Sequence, residues 1–110
     1  MKLIKAGEGE VYEAKNHYNC WTARKITPDL GSKTVSISYS HFLPNGGANL
    51  SSSPMERIYF LLSGSLNVKS KTEDFILQPG DMVYIGANED REATVVGNVP
   101  ATMMVIMAKV

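Results

Sequence analysis

Three polar residues with the chemistry to bind an anion stand close together in the middle of this sequence. Ser51 and Ser53 follow a Gly46-Gly47 turn, and Arg57 opens the apolar run that comes next. A guanidinium group donates paired hydrogen bonds that fit a carboxylate or a phosphate, and hydroxyl groups beside it can add further donors. The spacing therefore predicts a small-anion site with Arg57, Ser51 and Ser53 as ligand-binding residues.

The run that begins at Arg57 has the pattern of a strand covered on both sides. Its alternate residues form two sets, Arg57, Tyr59 and Leu61 on one face and Ile58, Phe60 and Leu62 on the other. Both sets are apolar beyond Arg57, which is typical of a strand buried on both faces. No carboxylate shares the face of Arg57. Because burying an unpaired guanidinium is costly, we expect an anionic ligand as its partner.

A second alternating run, residues 35–41, supplies the candidate proton-transfer groups. Its apolar set is Val35, Ile37, Tyr39 and His41, and three serines alternate with it. We expect the apolar set to face the interior, which places His41 near the strand end that opens toward the pocket. His41 titrates near neutral pH and is the candidate general acid or base, with Tyr39 and Tyr59 as further candidate catalytic residues. The alternative for each is a core side chain with a hydrogen-bonded polar group.

Composition and charge exclude several classes of protein. The 44% hydrophobic and 20% charged content is that of an ordinary globular domain, and 110 residues leave room for one core. Eleven basic and eleven acidic residues cancel without a Lys/Arg cluster, which argues against nucleic acid or a membrane surface as the main partner. The first residues lack the apolar core of a signal peptide, so we expect a cytoplasmic protein. The single cysteine, Cys20, fits a reducing compartment as a packed thiol.

Turn signals recur at short intervals along the chain, and helical periodicity is almost absent. This pattern predicts an all-β fold, a single-domain antiparallel barrel over residues 1–110. Weaker N-terminal strands within residues 1–32 are expected to complete a barrel core formed by residues 33–110. The expected strands lie within residues 1–12, 19–26, 35–41, 57–62, 66–68, 75–77, 82–85, 93–96 and 102–108.

The glycine and proline landmarks resemble those of the cupin superfamily. The first cupin motif, usually written G-x5-H-x-H-x3-4-E-x6-G, is similar to the stretch that ends at Gly64. The second motif, which often contains P-G-D, is similar to the segment around Pro79-Gly80-Asp81. The resemblance implies a double-stranded β-helix, or jelly roll, in which the motif residues line the inside of a small barrel.

The positions that hold a metal ion in the family are changed in this chain. In the alignment implied by the resemblance, Ser51 and Ser53 stand at the two histidine positions and Arg57 at the glutamate position. Arg91 falls at or near the histidine of the second motif. Arginine cannot bind a cation and a serine hydroxyl is a poor ligand, so no metal and no other cofactor is expected.

Two alternatives concern these replacements. A metal site could be rebuilt from His41, His17 and Glu56, although Glu56 neighbours Arg57 and therefore points to the opposite face of an extended strand. Arg91 is a candidate ligand-binding residue, but it could instead be exposed or form an internal ion pair. The carboxylates near enough for such a pair are Asp81, Glu89, Asp90 and Glu92.

The resemblance and the changed positions together indicate a metal-independent small cupin enzyme. An isomerase, epimerase or lyase acting on a small carboxylate or sugar-like acid is the first hypothesis, and a non-catalytic module that binds or senses a small ligand is the alternative. A homodimer is expected because the back face of the central strand is apolar. The residues on that face are Ile58, Phe60 and Leu62, with Met104 and Ile106 adding to it.

Overall fold

The structure, a computed structural model, describes residues 1–108 and forms a nearly closed antiparallel β-barrel. Nine strands follow one another with a single turn of 3-10 helix (Pro28–Leu30) between the second and third. The strands are β1 (Glu10–Tyr12), β2 (His17–Ile26), β3 (Val35–Ser51), β4 (Glu56–Ser63), β5 (Leu66–Lys69), β6 (Asp74–Leu77), β7 (Met82–Ile85), β8 (Arg91–Val95) and β9 (Ala101–Ala108). The all-β prediction is confirmed. Within residues 1–108 no helix is long and apolar enough to span a membrane.

The strand order around the barrel is β6-β5-β8-β3-β9-β4-β7. Strand β3 joins the two halves of this wall, because residues 35–42 pair with β9 and residues 47–51 pair with β8. Strand β2 pairs with β3 on its other side, and β1 pairs with β2, so the N-terminal segment adds to the wall. Edge strands β6 and β7 do not pair with each other, and a seam remains between them.

The bend in β3 depends on the glycines at which a turn was predicted. The structure has a continuous strand here, not a loop. Asn45 adopts a positive φ of 66°, and Gly46 and Gly47 are buried against neighbouring backbone. A Cβ atom at Gly47 would overlap the carbonyl oxygen of Ala93 on β8. The glycines therefore let two strands approach closely, and the strand continues to Ser51.

Interior side chains of the barrel come from alternate positions of the strands. On β4 the predicted alternation is confirmed, because Arg57, Tyr59 and Leu61 are buried and the residues between them are more exposed. Burying large apolar side chains is worth about 1.5–3 kcal/mol each. The cluster that fills the closed part of the barrel includes Phe42, Leu61, Leu66, Val68, Leu77 and Met103.

The orientation predicted for residues 35–41 is wrong. Ser38, Ser40 and Phe42 are buried on the inside, where Ser40 pairs with the buried Met103, whereas Tyr39 and His41 lie on the outer face. The prediction assumed that a barrel strand buries its apolar set and exposes its polar set. The outer face of this wall is itself apolar, so the apolar side of β3 joins it and the small serines occupy the interior.

Candidate functional site

Arg57 is buried in the barrel without a protein partner for most of its guanidinium group. Only 8% of the residue is exposed, and its Nε and Nη2 atoms are buried without a hydrogen bond to any residue in the part of the chain described. Burial lowers the pKa of Arg57, the Tyr59 side chain acts in the opposite direction, and the positive charge of Arg91 lowers it further. Leaving buried donors unpaired costs about 1–3 kcal/mol each, so Arg57 is primed to bind an acceptor.

Arg91, also buried, is held by oxygen atoms of the barrel wall. Its Nε donates to the Tyr59 hydroxyl at 2.6 Å, and its Nη1 donates to the Ser51 carbonyl at 2.8 Å and to the Ser51 hydroxyl. Register explains the contact with Ser51, because the two residues are directly paired across β3 and β8. Arg91 thus links Ser51 and Tyr59 beside Arg57.

The alternative in which Arg91 pairs with an acidic neighbour is wrong. The carboxylates of its loop have other partners: Asp90 lies 3.8 Å from the Lys71 ammonium, Glu92 lies 3.3 Å from that of Lys69, and Glu89 accepts from the Gly86 amide. Arg91 is not exposed either, since 94% of its surface is removed from water (6% exposed). The two buried arginines therefore share one interior.

His17 also lies in this interior, and sequence reasoning considered it only as a metal ligand. Its ring stacks on Phe42 with centroids 6.2 Å apart, and its Nδ1 donates to the Lys15 carbonyl at 2.7 Å. Burial lowers the pKa of His17, the hydrogen bond to Lys15 opposes this, and the charges of Arg91 and Arg57 lower it further. His17 is therefore neutral near pH 7 with its proton on Nδ1, which leaves Nε2 as a basic nitrogen.

A β-bulge in β2 turns His17 inward. Cys20 and Thr22 pair with the inward-facing Phe42 and Ser40, and regular alternation would then point residue 18 inward. The register shifts between Tyr18 and Cys20, where Asn19 has a positive φ of 46°, so His17 pairs instead with the inward-facing Ala48. Asparagine tolerates this conformation, but its presence alone does not predict a bulge.

Three predicted site residues lie elsewhere. His41 stacks on Trp21 at 4.0 Å on the outer face, where its Nδ1 is 3.1 Å from the Thr102 hydroxyl. Tyr39 lies on the same face. The Ser53 hydroxyl accepts from the Met55 amide in the turn before β4, and within residues 1–108 the hydrogen bonds of Arg91 go to Tyr59 and Ser51 instead. Tyr59, Arg57, Ser51 and Arg91 are the predicted residues that the structure brings together.

The interior residues do not fit a metal ion. The family's ligand positions hold serine and arginine, and the rebuilt site does not form: His41 is on the outer face, His17 is inside, and Glu56 accepts a hydrogen bond from Tyr84 at the surface. Among residues 1–108 no three His, Cys, Asp or Glu side chains cluster tightly enough to hold an ion. Guanidinium groups favour an anion in the same place.

The open seam of the barrel gives access to Arg91. A cavity of about 60 Å³ adjoins Arg91 and Ile85, with Val68, Phe75 and Val83 among its other walls. A wider cleft of about 450 Å³ continues from it along the edges of β6 and β7. The seam therefore connects the arginine end of the interior with solvent.

Comparison with known proteins identifies the class to which this fold and interior belong. The model of the Cupin domain family matches residues 38–107, and the chain belongs to this family. A search of curated protein sequences finds no significant match.

Solved structures share the fold at low sequence identity. The chain is similar to the polyketide cyclase RemF from Streptomyces resistomycificus, with a TM-score of 0.87 and 14% identity over 98% of this chain and 79% of that one. It is also similar to a predicted oxalate decarboxylase from Thermotoga maritima, with a TM-score of 0.85 and 14% identity over 99% of this chain and 100% of that one. An RmlC-like cupin from Shewanella frigidimarina has a TM-score of 0.80 and 9% identity over 100% and 93% of the two chains.

Proposed function

We propose that this cupin binds a small carboxylate inside its barrel, with Arg57 as the primary anchor. The observation that carries the proposal is the pair of buried Arg57 donors, Nε and Nη2, that find no acceptor in residues 1–108. Adjacent nitrogens of one guanidinium present the fork that a carboxylate accepts with both oxygens. A bound carboxylate would satisfy both donors at once.

The electrostatics of the interior support an anion. Arg91 and Arg57 each lower the pKa of His17, so all three groups lie within range of one another's charge. Every carboxylate next to Arg91 in sequence already has another partner. A negative ligand would offset the mutual repulsion of two buried arginines.

We propose first that the protein is an enzyme, one that transfers a proton to or from the bound carboxylate without a metal. His17 Nε2 is a base, and the Tyr59 hydroxyl, which accepts from Arg91, keeps its own proton available for donation. These groups suit an isomerase, epimerase or lyase acting on a small carboxylate or sugar-like acid. Two structural neighbours are described as a polyketide cyclase and a predicted oxalate decarboxylase, and these descriptions support an enzyme on this fold. The second candidate is a module that binds the same anion and performs no reaction.

Solvent exchange of the C2 proton of 2-hydroxy acids distinguishes these two forms. We expect the wild type in D2O to exchange this proton into at least one of lactate, malate and mandelate, as followed by NMR. His17→Gln should reduce the exchange rate by about 100-fold, the typical contribution of a general base, and still bind the acid. His41→Gln is the matched control and should leave the rate unchanged. Binding without exchange contradicts the enzyme and supports the module.

We also propose that the protein is a homodimer joined through the outer face of the wall β2-β3-β9-β4. The apolar residues on that face include Trp21, Tyr39, Ile58, Phe60, Met104 and Ile106. Trp21, for example, is 47% exposed. A continuous apolar sheet face is unusual on a monomer and fits a second copy of itself.

Light scattering at micromolar concentration checks the dimer. We expect a mass of twice 12.0 kDa for the wild type and a monomer for Phe60→Glu, because a charge would be buried at the centre of the interface. Val99→Glu is the control, since Val99 is 63% exposed in the turn before β9 and should leave the mass unchanged. A wild-type monomer contradicts the proposal.

A further inference from the structure

The seam between edge strands β6 and β7 carries the apolar side chains Phe75, Val83 and Ile85, although it leads to the buried Arg91. We infer that the ligand carries an unbranched or flat apolar tail, which lies in this seam while its carboxylate binds Arg57. The inference rests on the proposed function and names the class of carboxylate. Residues of β6 and β7 then select the ligand by its tail.

Strand register places Arg57 beside the inner end of the seam. Arg57 pairs directly with Ile85 on β7, and Ile85 and Arg91 both line the inner cavity. Val83 lies on the inward phase of β7, two residues before Ile85, and lines both the inner cavity and the outer cleft. A tail that leaves the arginine end therefore meets Ile85 and then Val83.

Phe75 forms the opposite wall. It pairs with Val68, which is buried at 3% exposure, so its side chain belongs to the inward set of β6. Phe75 is nevertheless 45% exposed, because no strand formed by residues 1–108 pairs with β6 on the side of the seam. An inward-facing aromatic ring that stays exposed offers apolar surface that a ligand can cover.

Charged side chains also stand along the seam: Lys69, Glu73, Glu89 and Asp90 line the inner cavity, and Glu73 and Asp81 line the outer cleft. Glu89 accepts a hydrogen bond from the Gly86 amide, and Asp90 lies 3.8 Å from the Lys71 ammonium. These partners reduce the attraction that the two carboxylates would exert on an ammonium group. Val68, Phe75, Val83 and Ile85 form the apolar part of the inner cavity wall, and they favour methylene or aromatic carbons.

A series of straight-chain carboxylates from butyrate to octanoate tests the inference by calorimetric titration. We expect the dissociation constant of the wild type to fall about threefold for each added methylene, as partial burial of each group predicts. Phe75→Ser should flatten this dependence while retaining the affinity for butyrate. Val83→Thr preserves side-chain shape and should weaken the binding of only the longer acids. This second variant keeps the test valid if Phe75→Ser misfolds. Val99→Ser, an exposed apolar residue away from the seam, is the matched control.

The outcomes separate this inference from the proposed function. Equal affinity for short and long acids, lost in Arg57→Met, contradicts the tail site and leaves the anion site standing. A chain-length dependence that is unchanged in both Phe75→Ser and Val83→Thr also contradicts it, as does tighter binding of 6-aminohexanoate than of hexanoate. If Arg57→Met leaves the affinity for every acid unchanged, the proposed function is contradicted. If the wild type binds none of the acids, the proposed function and the tail site are both contradicted.

Discussion

Replacing Arg57 by methionine is expected to stabilise the ligand-free protein and to remove carboxylate binding. Methionine keeps much of the packing of the arginine stem and eliminates the two buried donors that have no acceptor in residues 1–108. The free energy of unfolding should rise by about 1–2 kcal/mol, because unpaired buried charge is removed. Affinity for a cognate carboxylate should fall at least about tenfold, the loss of a charged hydrogen bond. Urea unfolding and calorimetric titration measure the two effects on the same samples.

Arg57→Lys is the matched control for this substitution. It keeps the positive charge but loses the planar fork, so it should bind carboxylate better than Arg57→Met and worse than the wild type. It should also lack the stability gain of methionine, since a buried ammonium group is equally costly. If Arg57→Met unfolds the protein, the arginine is structural and the anion site is wrong.

Replacing Arg91 by methionine is expected to have the opposite effect on stability. Arg91 donates to the Tyr59 hydroxyl and to both the carbonyl and the hydroxyl of Ser51. Hydrogen bonds to a charged group are worth about 1.5–3 kcal/mol each, and the oxygens left behind are partly or fully buried. We expect a loss of about 3 kcal/mol in the free energy of unfolding, measured by urea titration.

A double-mutant cycle with Tyr59→Phe resolves the contact between Arg91 and Tyr59. Phenylalanine removes the hydroxyl that accepts from Arg91 Nε at 2.6 Å and leaves the ring in the core. The two substitutions should couple by at least about 1 kcal/mol, as interacting buried pairs do. Arg91→Met with wild-type stability would show that the guanidinium is not part of the barrel wall.

The turns that set the direction of the chain could be predicted from the sequence. Gly64 and Gly80 adopt positive φ angles of 81° and 94°, as expected of turn glycines, and they bound β4 and β7. The alternation from Arg57 to Leu61 could also be predicted, because Arg57 is the one charged residue in the apolar run from Arg57 to Leu62. Both predictions rest on local geometry, which short stretches of sequence encode directly.

The orientation of β3 depends on its neighbours, and these are distant in sequence. Residues 35–41 alternate between apolar and polar side chains. When both faces of a sheet are covered or apolar, this alternation does not predict which set of side chains faces the interior. Ser40 faces inward because it pairs with Met103 and Thr22, two residues contributed by β9 and β2. The same limit applies to His17, whose inward position follows from a bulge at Asn19.

The environment of Arg91 could not be read from its acidic neighbours. In sequence Asp90 and Glu92 flank it, but strand alternation sends both carboxylates away from the arginine, where they meet Lys71 and Lys69. Ser51, its actual partner, is forty positions away along the chain. Pairing between β3 and β8 creates the contact, and the shared interior of the two arginines follows from it.

Titration of the wild-type protein with hexanoate and with hexanamide tests the central claim most directly. The two molecules have the same chain and nearly the same size, and they differ in the charged group that Arg57 is proposed to bind. We expect hexanoate to bind at least about tenfold more tightly than hexanamide, because only the carboxylate accepts two charged hydrogen bonds. Equal affinity for the acid and the amide would contradict the account.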